Sequence, residues 1–331
     1  MSKTIAVLSI DGGGIRGVIP AMILTELEKI TGKPTSQLFD LVAGTSTGGI
    51  ISLALTKPKS GQDSSPAFTA KDLVQMYEKN GTRIFSKSLL HTIVAGGNLL
   101  EEKYTSAGIE GVLKEYFGDI KLSQSLLPVI IPAYETERRI SWFFKSSRAK
   151  TDPEYDFLLR DVARSTAAAP TYFEPHKVNV DGPAGYYSFI DGGVYANNPS
   201  MCAYVEAKSM FPDADKIIFV SLGTGLQSNQ LKYADVKGWG LAKWAQPILN
   251  VVFDGIETTI DYQLQQLFQN PRTGTYHRFQ PRLDGLNEDI DKADFENIRS
   301  LKLLAERLIR ENNSQLYKLS SDLIVAKANL S

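Results

Sequence analysis

The chain has 331 residues, 43% of them hydrophobic and 22% charged, and 36 lysines and arginines against 37 aspartates and glutamates leave a formal net charge of −1. These values allow a sizeable core in one large domain or two ordinary ones and argue against a general electrostatic affinity for nucleic acid polymers. The single cysteine, Cys202, excludes an intrachain disulfide, and one cysteine with three histidines disfavours a His/Cys zinc site.

Residues 1–10 reach Asp11 too soon for the apolar region of a signal peptide. No stretch offers around 18 uninterrupted apolar residues, so no membrane-spanning helix is expected and a cytosolic start is the reading. Residues 4–10 are a short apolar run bounded by Asp-Gly-Gly-Gly and predict a buried strand. The segment that follows, Asp11-Gly12-Gly13-Gly14-Ile15-Arg16-Gly17, contains G-x-G-x-x-G at Gly12, Gly14 and Gly17. A dinucleotide site wants an acid at the end of the next strand. That strand ends in Gly44-Thr45-Ser46, and the nearest acid, Asp40, precedes it, so the nucleotide reading fails there. Consecutive glycines also let backbone N–H groups converge on an oxyanion, each donor contributing roughly 3 kcal/mol. Gly13 and Gly14 are the candidates, and a plain strand-to-helix turn is the competing reading.

A helix is expected from Pro20 through Ile30, ended by Gly32 and Pro34. The apolar run from Leu41 then stops at Gly44-Thr45-Ser46-Thr47-Gly48, before a second apolar run with helical character. A serine between glycines at a strand-to-helix junction is the nucleophile-elbow pattern, and the junction sets Ser46 at a helix N-terminus. Residues 58–68 form a polar loop. Thr69 and Asp72 have capping-box spacing for a helix ending at Asn80-Gly81. Residues 84–100 are irregular and apolar; from Leu89 to Leu100 the glycines would allow a mobile lid, with core packing the preferred reading, and a helix fits 104–117.

Strands at 127–134 and 139–145 predict a hairpin, and a helix fits 157–168. A short strand at 186–190 runs into Asp191-Gly192-Gly193, placing a carboxylate at a strand's C-terminal end; burial there would raise its pKa toward that of a useful base. An Asp-Gly turn is the plainer reading of that motif alone. Asn197-Asn198-Pro199 opens a helix through Met210, and 216–222 is the clearest buried strand. Residues 240–269 and 291–328 read as helix, the latter with a stripe at Leu301, Leu304, Leu308 and Ile309, and 275–283 alternate as a strand. In the stretch from Trp239 to Val251, Leu241, Trp244, Ile248 and Val251 have core spacing, so packing is preferred there over a membrane interface. The alternation of strands and helices predicts an α/β fold with a largely parallel central sheet.

A serine nucleophile needs a base. The order Ser46, Asp191, His277 suits a hydrolase triad, but His277 falls inside an alternating strand, and His91 and His176 read as structural. A direct Ser46–Asp191 pair is the other arrangement.

Taken in order, Asp11 to Gly17, Gly44 to Gly48 and Asp191 to Gly193, with Ser165-Thr166-Ala167-Ala168-Ala169-Pro170-Thr171-Tyr172-Phe173 and Tyr195-Ala196-Asn197-Asn198-Pro199, resemble the patatin-like phospholipase family. The resemblance implies a three-layer α/β sandwich, with a patatin-like catalytic core over 1–235 and a mainly helical part over 236–331 packed on the same domain. It implies a lipid acyl hydrolase of the phospholipase A or lysophospholipase type. Ser46 would attack the ester, Asp191 would take its proton, the amides of Gly12, Gly13 and Gly14 would hold the oxyanion, and Arg16 would order the loop or meet a phosphate. The substrate would be a phospholipid or another acyl-ester lipid, met in transient contact with a membrane surface from a cytoplasmic location, with no cofactor or metal. Calcium would not be needed, because backbone amides hold the charge. An activator of unknown kind is left open. The alternatives are a non-phospholipid esterase or acyltransferase on the same dyad, and a catalytically idle storage or binding protein.

Overall fold

In the computed structural model, described for residues 3–59, 64–85, 104–181, 185–244 and 247–328, the first strand sets the frame. β1 (Thr4–Ile10) alternates its side chains between two apolar clusters: Ile5 and Val7 join one, Ala6, Leu8 and Ile10 the other. Burial on both faces explains why the run is apolar throughout rather than alternating. β1 is flanked in parallel by β2 (Leu41–Gly44) and β7 (Lys216–Leu222). The sheet continues from β2 to β3 (Val129–Glu135), and from β7 to β8 (Gly274–Phe279), both in parallel. Antiparallel strands complete the β3 side: β4 (Ile140–Lys145) and β6 (Tyr186–Asp191) pair with β3, and β5 (His176–Asn179) pairs with β6. The order is β5-β6-β3-β2-β1-β7-β8, with β4 off this path on β3.

Helices cover both faces of this mostly parallel sheet. On one side lie α1 (Val18–Thr31), α2 (Thr47–Thr56), α3 (Ala70–Ile84), α4 (Ser106–Phe117), α5 (Leu159–Thr166) and the C-terminal helices. On the other lie α6 (Ser200–Met210) and α7 (Pro247–Leu267), through Ala203, Ala207 and Leu264. α8 (Phe295–Glu311) and α9 (Asn313–Ala328) pack on α1, and the stripe of Leu301 and Leu304 is buried there.

Local chemistry set most boundaries. Thr69 and Asp72 form the full capping box of α3, and Gly32 ends α1 in the left-handed conformation. Two expectations fail. α3 runs through Gly81 to Ile84, because Gly81 is a packing gap against Ile15, Ala293 and Ile298 rather than a stop. The single C-terminal helix expected over 291–328 is two, divided at Asn312. The apolar stretch at 89–100, weighed as core packing or a lid, lies outside the described residues.

Candidate active site

β4 occupies one whole edge of β3, pairing from Ile130 to Glu135. The other edge is shared. β2 pairs with Val129 and Ile130 in parallel, and β6 pairs with Ala133 to Glu135 antiparallel. The C-terminal ends of β2 and β6 therefore face each other along one edge, across Pro132. Proline has no N–H to give a ladder, so the junction stays open. From one side the chain leaves β2 into Ser46; from the other, β6 ends on Asp191. Two residues 145 positions apart are thus delivered to one point. Thr166, at the end of α5, bridges the junction: its hydroxyl donates to the Pro132 carbonyl at 2.6 Å and accepts the Ser46 N–H at 3.0 Å.

Ser46 has φ 55° and ψ −122°, a conformation rare for a residue with a side chain. The turn is tight enough that a Cβ on Gly44 would lie 2.1 Å from the Gly48 carbonyl oxygen, and one on Gly48 would lie 2.2 Å from that of Ile10. Neighbouring hydroxyls pin it: Thr45 donates to the Ala196 carbonyl at 2.6 Å, and Thr47 meets the buried Tyr77 hydroxyl.

Asp191 is buried, and its Oδ1 accepts the Gly193 N–H at 2.7 Å. Burial pushes its carboxyl up to about 7, against the opposing pull of hydrogen bonds from the Ser46 hydroxyl and the Gly193 N–H. A carboxyl of that pKa, in the same cavity as a serine hydroxyl, has the proton affinity that general-base chemistry near neutral pH requires.

The glycine loop is tied at both ends. Asp11 N–H donates to the Leu222 carbonyl, Gly12 N–H to that of Asn197 and Ile15 N–H to that of Ile290, while the Thr224 hydroxyl donates to the Gly12 carbonyl. Gly12 therefore has no amide to spare for an oxyanion. Among the described residues from Asp11 to Arg16, the amides without an acceptor are those of Gly13 and Gly14. Gly14 has φ 57°, and a Cβ there would lie 2.0 Å from the Ile290 carbonyl oxygen, so glycine is required. Arg16 is buried, with Nε 3.4 Å from the Gly13 carbonyl and Nη1 3.5 Å from that of Glu288. These long contacts order the loop. Burial lowers the guanidinium's pKa, opposed by Glu257, Asp254 and Glu288.

Ser46, Asp191, Gly12, Gly13, Gly14 and Arg16 all line one cavity, whose walls include Ile50, Ile109, Phe173, Phe253 and Ile290. An apolar chain fits such walls, with the serine, the carboxyl and two open amides at the same place. His277 is not among the lining residues. It is buried on β8, with Nδ1 3.3 Å from the Gln315 amide, so the triad order corresponds to no triad. His176 lies on β5, 3.4 Å from Asp161.

Three contributors carry no motif. Phe253 and Ile290 reach the cavity from the C-terminal part. Arg278, on β8, pairs through Nη2 with Asp11 at 2.6 Å and Glu257 at 3.0 Å, beneath the glycine loop. The alternation of 275–283 marked the strand; nothing local marked Arg278.

The patatin-like phospholipase family model matches residues 8–204. The chain is 34% identical to patatin-like protein 2 of Arabidopsis thaliana over 91% of its own length and 81% of that protein's. It is 32% identical to patatin-like protein 1 of Oryza sativa subsp. indica, over 95% and 83%. A further relative, probable inactive patatin-3-Kuras 1 of Solanum tuberosum, is 30% identical over 97% and 91%.

Proposed function

The chain belongs to the patatin-like phospholipase family of lipid acyl hydrolases, and we propose that within it Ser46 and Asp191 act as a catalytic dyad on carboxylic esters of phospholipids, in the phospholipase A or lysophospholipase manner. The observation that carries this reading is that Ser46 and the buried Asp191 carboxyl line one cavity with apolar walls, together with the open amides of Gly13 and Gly14.

Ser46 Oγ attacks the ester carbonyl as Asp191 takes its proton. The N–H groups of Gly13 and Gly14 receive the oxyanion, each contributing roughly 3 kcal/mol. Collapse expels the lysolipid alcohol, which takes the proton back from Asp191 and leaves Ser46 acylated. Asp191 then removes a proton from water, whose oxygen attacks the acyl carbonyl. The second tetrahedral intermediate releases the fatty acid and returns the proton to Ser46. The apolar walls hold the acyl chain. Arg16, through the Gly13 carbonyl, keeps the loop in register. Calcium has no step to perform here, and EDTA should leave the rate unchanged. The protein meets its substrate at a membrane surface from the cytoplasm.

The test is fatty-acid release from phospholipid by wild type, Ser46→Ala, Asp191→Asn and His277→Ala. Loss in the first two with activity kept in the third is expected. A third variant as dead as Ser46→Ala would overturn the dyad. The competing reading, an idle binding protein, has in its favour one relative named as probable inactive. Fluorophosphonate labelling of Ser46 in the wild type would decide against it, and absence of labelling would favour it.

A further inference from the structure

Leu241, Trp244, Ile248 and Val251 have core spacing, yet Leu241 is 93% exposed, and Ile248 and Val251 are exposed too. Tyr233 is 80% exposed and Leu231 is exposed beside it. Trp239 and Trp244 pack edge to face on each other, ring centroids 5.2 Å apart. Three exposed lysines, Lys232, Lys237 and Lys243, are interspersed among these side chains, and Asp235 is the one carboxylate between residues 231 and 251. Apolar and aromatic side chains in water, mixed with lysines, match the chemistry of an anionic lipid interface.

The position of the stretch fits that chemistry. Leu231, Pro247 and Val251 line a groove that also takes in Tyr172 and Ile290, and these last two line the cavity of Ser46 as well. Phe253, on the same helix as Ile248 and Val251, lines the cavity itself. An acyl chain leaving a lipid surface at this stretch would pass along the groove into the cavity. The groove also carries Asp254, Glu288 and Asp289, which repel phosphate, so the anionic surface is held by the outer lysines. Glu288 fastens the start of the stretch, its Oε1 accepting the Ser228 hydroxyl at 2.8 Å and the Asn229 N–H at 3.0 Å. Among the described residues no helix is long and apolar enough to cross a membrane, so the contact is a peripheral one. A second copy of the chain on the same patch would set lysines against lysines.

We propose that the 231–251 stretch is a docking surface for anionic lipid bilayers that seats the cavity mouth on the membrane; this rests on the reading of the Ser46 site as a lipid ester hydrolase. The test uses the full chain carrying Ser46→Ala, so that binding is measured without turnover. Cosedimentation is compared on vesicles of phosphatidylcholine alone and of equal parts phosphatidylcholine and phosphatidylglycerol. Tighter binding to the mixed vesicles is expected. Lys232→Gln/Lys237→Gln/Lys243→Gln should lose about fivefold per lysine, on the order of a hundredfold together. Leu241→Ser should weaken binding to both vesicle types. With Ser46 intact, the lysine variant should hydrolyse a soluble short-chain ester at the wild-type rate while losing rate on mixed vesicles. Equal binding to the two vesicle types, or binding that survives all four changes, overturns the docking surface whatever the hydrolysis result. A dimer that the lysine or Leu241 change converts to monomer also overturns it, assigning the patch to self-association. Anionic-vesicle binding by a chain inert toward every ester leaves the docking surface standing and removes the dyad reading instead.

Discussion

At the scale of single residues, Ser46 and Asp191 are held at a cost to the fold. The φ of 55° at Ser46 is a strain of about 1–3 kcal/mol for a residue with a Cβ. Ser46→Gly removes it, less about 0.5–1 kcal/mol for glycine's freedom in the unfolded chain. Ser46→Gly should therefore unfold at higher urea than Ser46→Ala, by ~1 kcal/mol, with both inactive; equal midpoints would show that the turn is not strained. Asp191 gives a second signature. Its folded-state pKa, raised by burial to about 7 from an ordinary 3.8, means that the fold binds a proton which the unfolded chain releases. That stability is fully present below about pH 4 and is lost as pH rises through about 7. In the role proposed for it, as a base, Asp191 works ionised, so kcat/KM should climb over the same range and level off above it. Activity and stability should move in opposite directions with pH. Asp191→Asn should cancel the stability trend attached to this group, and near neutral pH should be more stable than wild type by on the order of a few kcal/mol. Parallel pH series of urea unfolding for the two proteins measure this, and superimposable series would refute it.

Among elements, the decisive arrangement is the meeting of β2 and β6 on one edge of β3. Thr166 holds it by two hydrogen bonds. Thr166→Val keeps the shape and removes both, leaving the Ser46 N–H and the Pro132 carbonyl without these partners, which should cost ~2 kcal/mol of stability. Misplacement of Ser46 should lower kcat and leave KM nearly unchanged. Steady-state kinetics with urea unfolding checks both, and wild-type behaviour in each would show that the junction holds without the hydroxyl. This junction was only half legible in the sequence. The glycine loop, the elbow and Asp-Gly-Gly are local patterns with local reasons, so Ser46, Asp191 and the loop could be marked in advance. That β2 and β6 converge depends on which strand takes which edge of β3, a long-range fact without a local signal. The core reading of the Trp239 to Val251 stretch went wrong for a related reason. Spacing tells which side chains share a helix face; whether protein or solvent covers that face is decided elsewhere in the chain.

For the whole molecule, the glycine loop depends on residues more than 260 positions away. Arg278 on β8 holds Asp11 on one side and Glu257 of α7 on the other, within a largely buried cluster. The three charges are tolerable only together. Arg278→Met fills the same space and takes away the cation, leaving two carboxylates in a low-dielectric site, at a cost of ~3–5 kcal/mol. Burial raises the Asp11 carboxyl and Arg278 pulls it down, so without the arginine the rise is unopposed. A raised folded-state pKa gives stability that is present at acid pH and lost on the way up. Burial already holds the Asp11 carboxyl up at about 7 in the wild type, so the variant's deficit should be flat below about pH 7 and widen above it. The rate should fall with it, because Asp11 opens the loop that offers Gly13 and Gly14. Arg278→Lys, keeping a charge but not the planar fork, should recover part of the stability. A deficit independent of pH would mean that Arg278 stabilises by packing alone, and that the C-terminal part reaches the site only through Phe253 and Ile290.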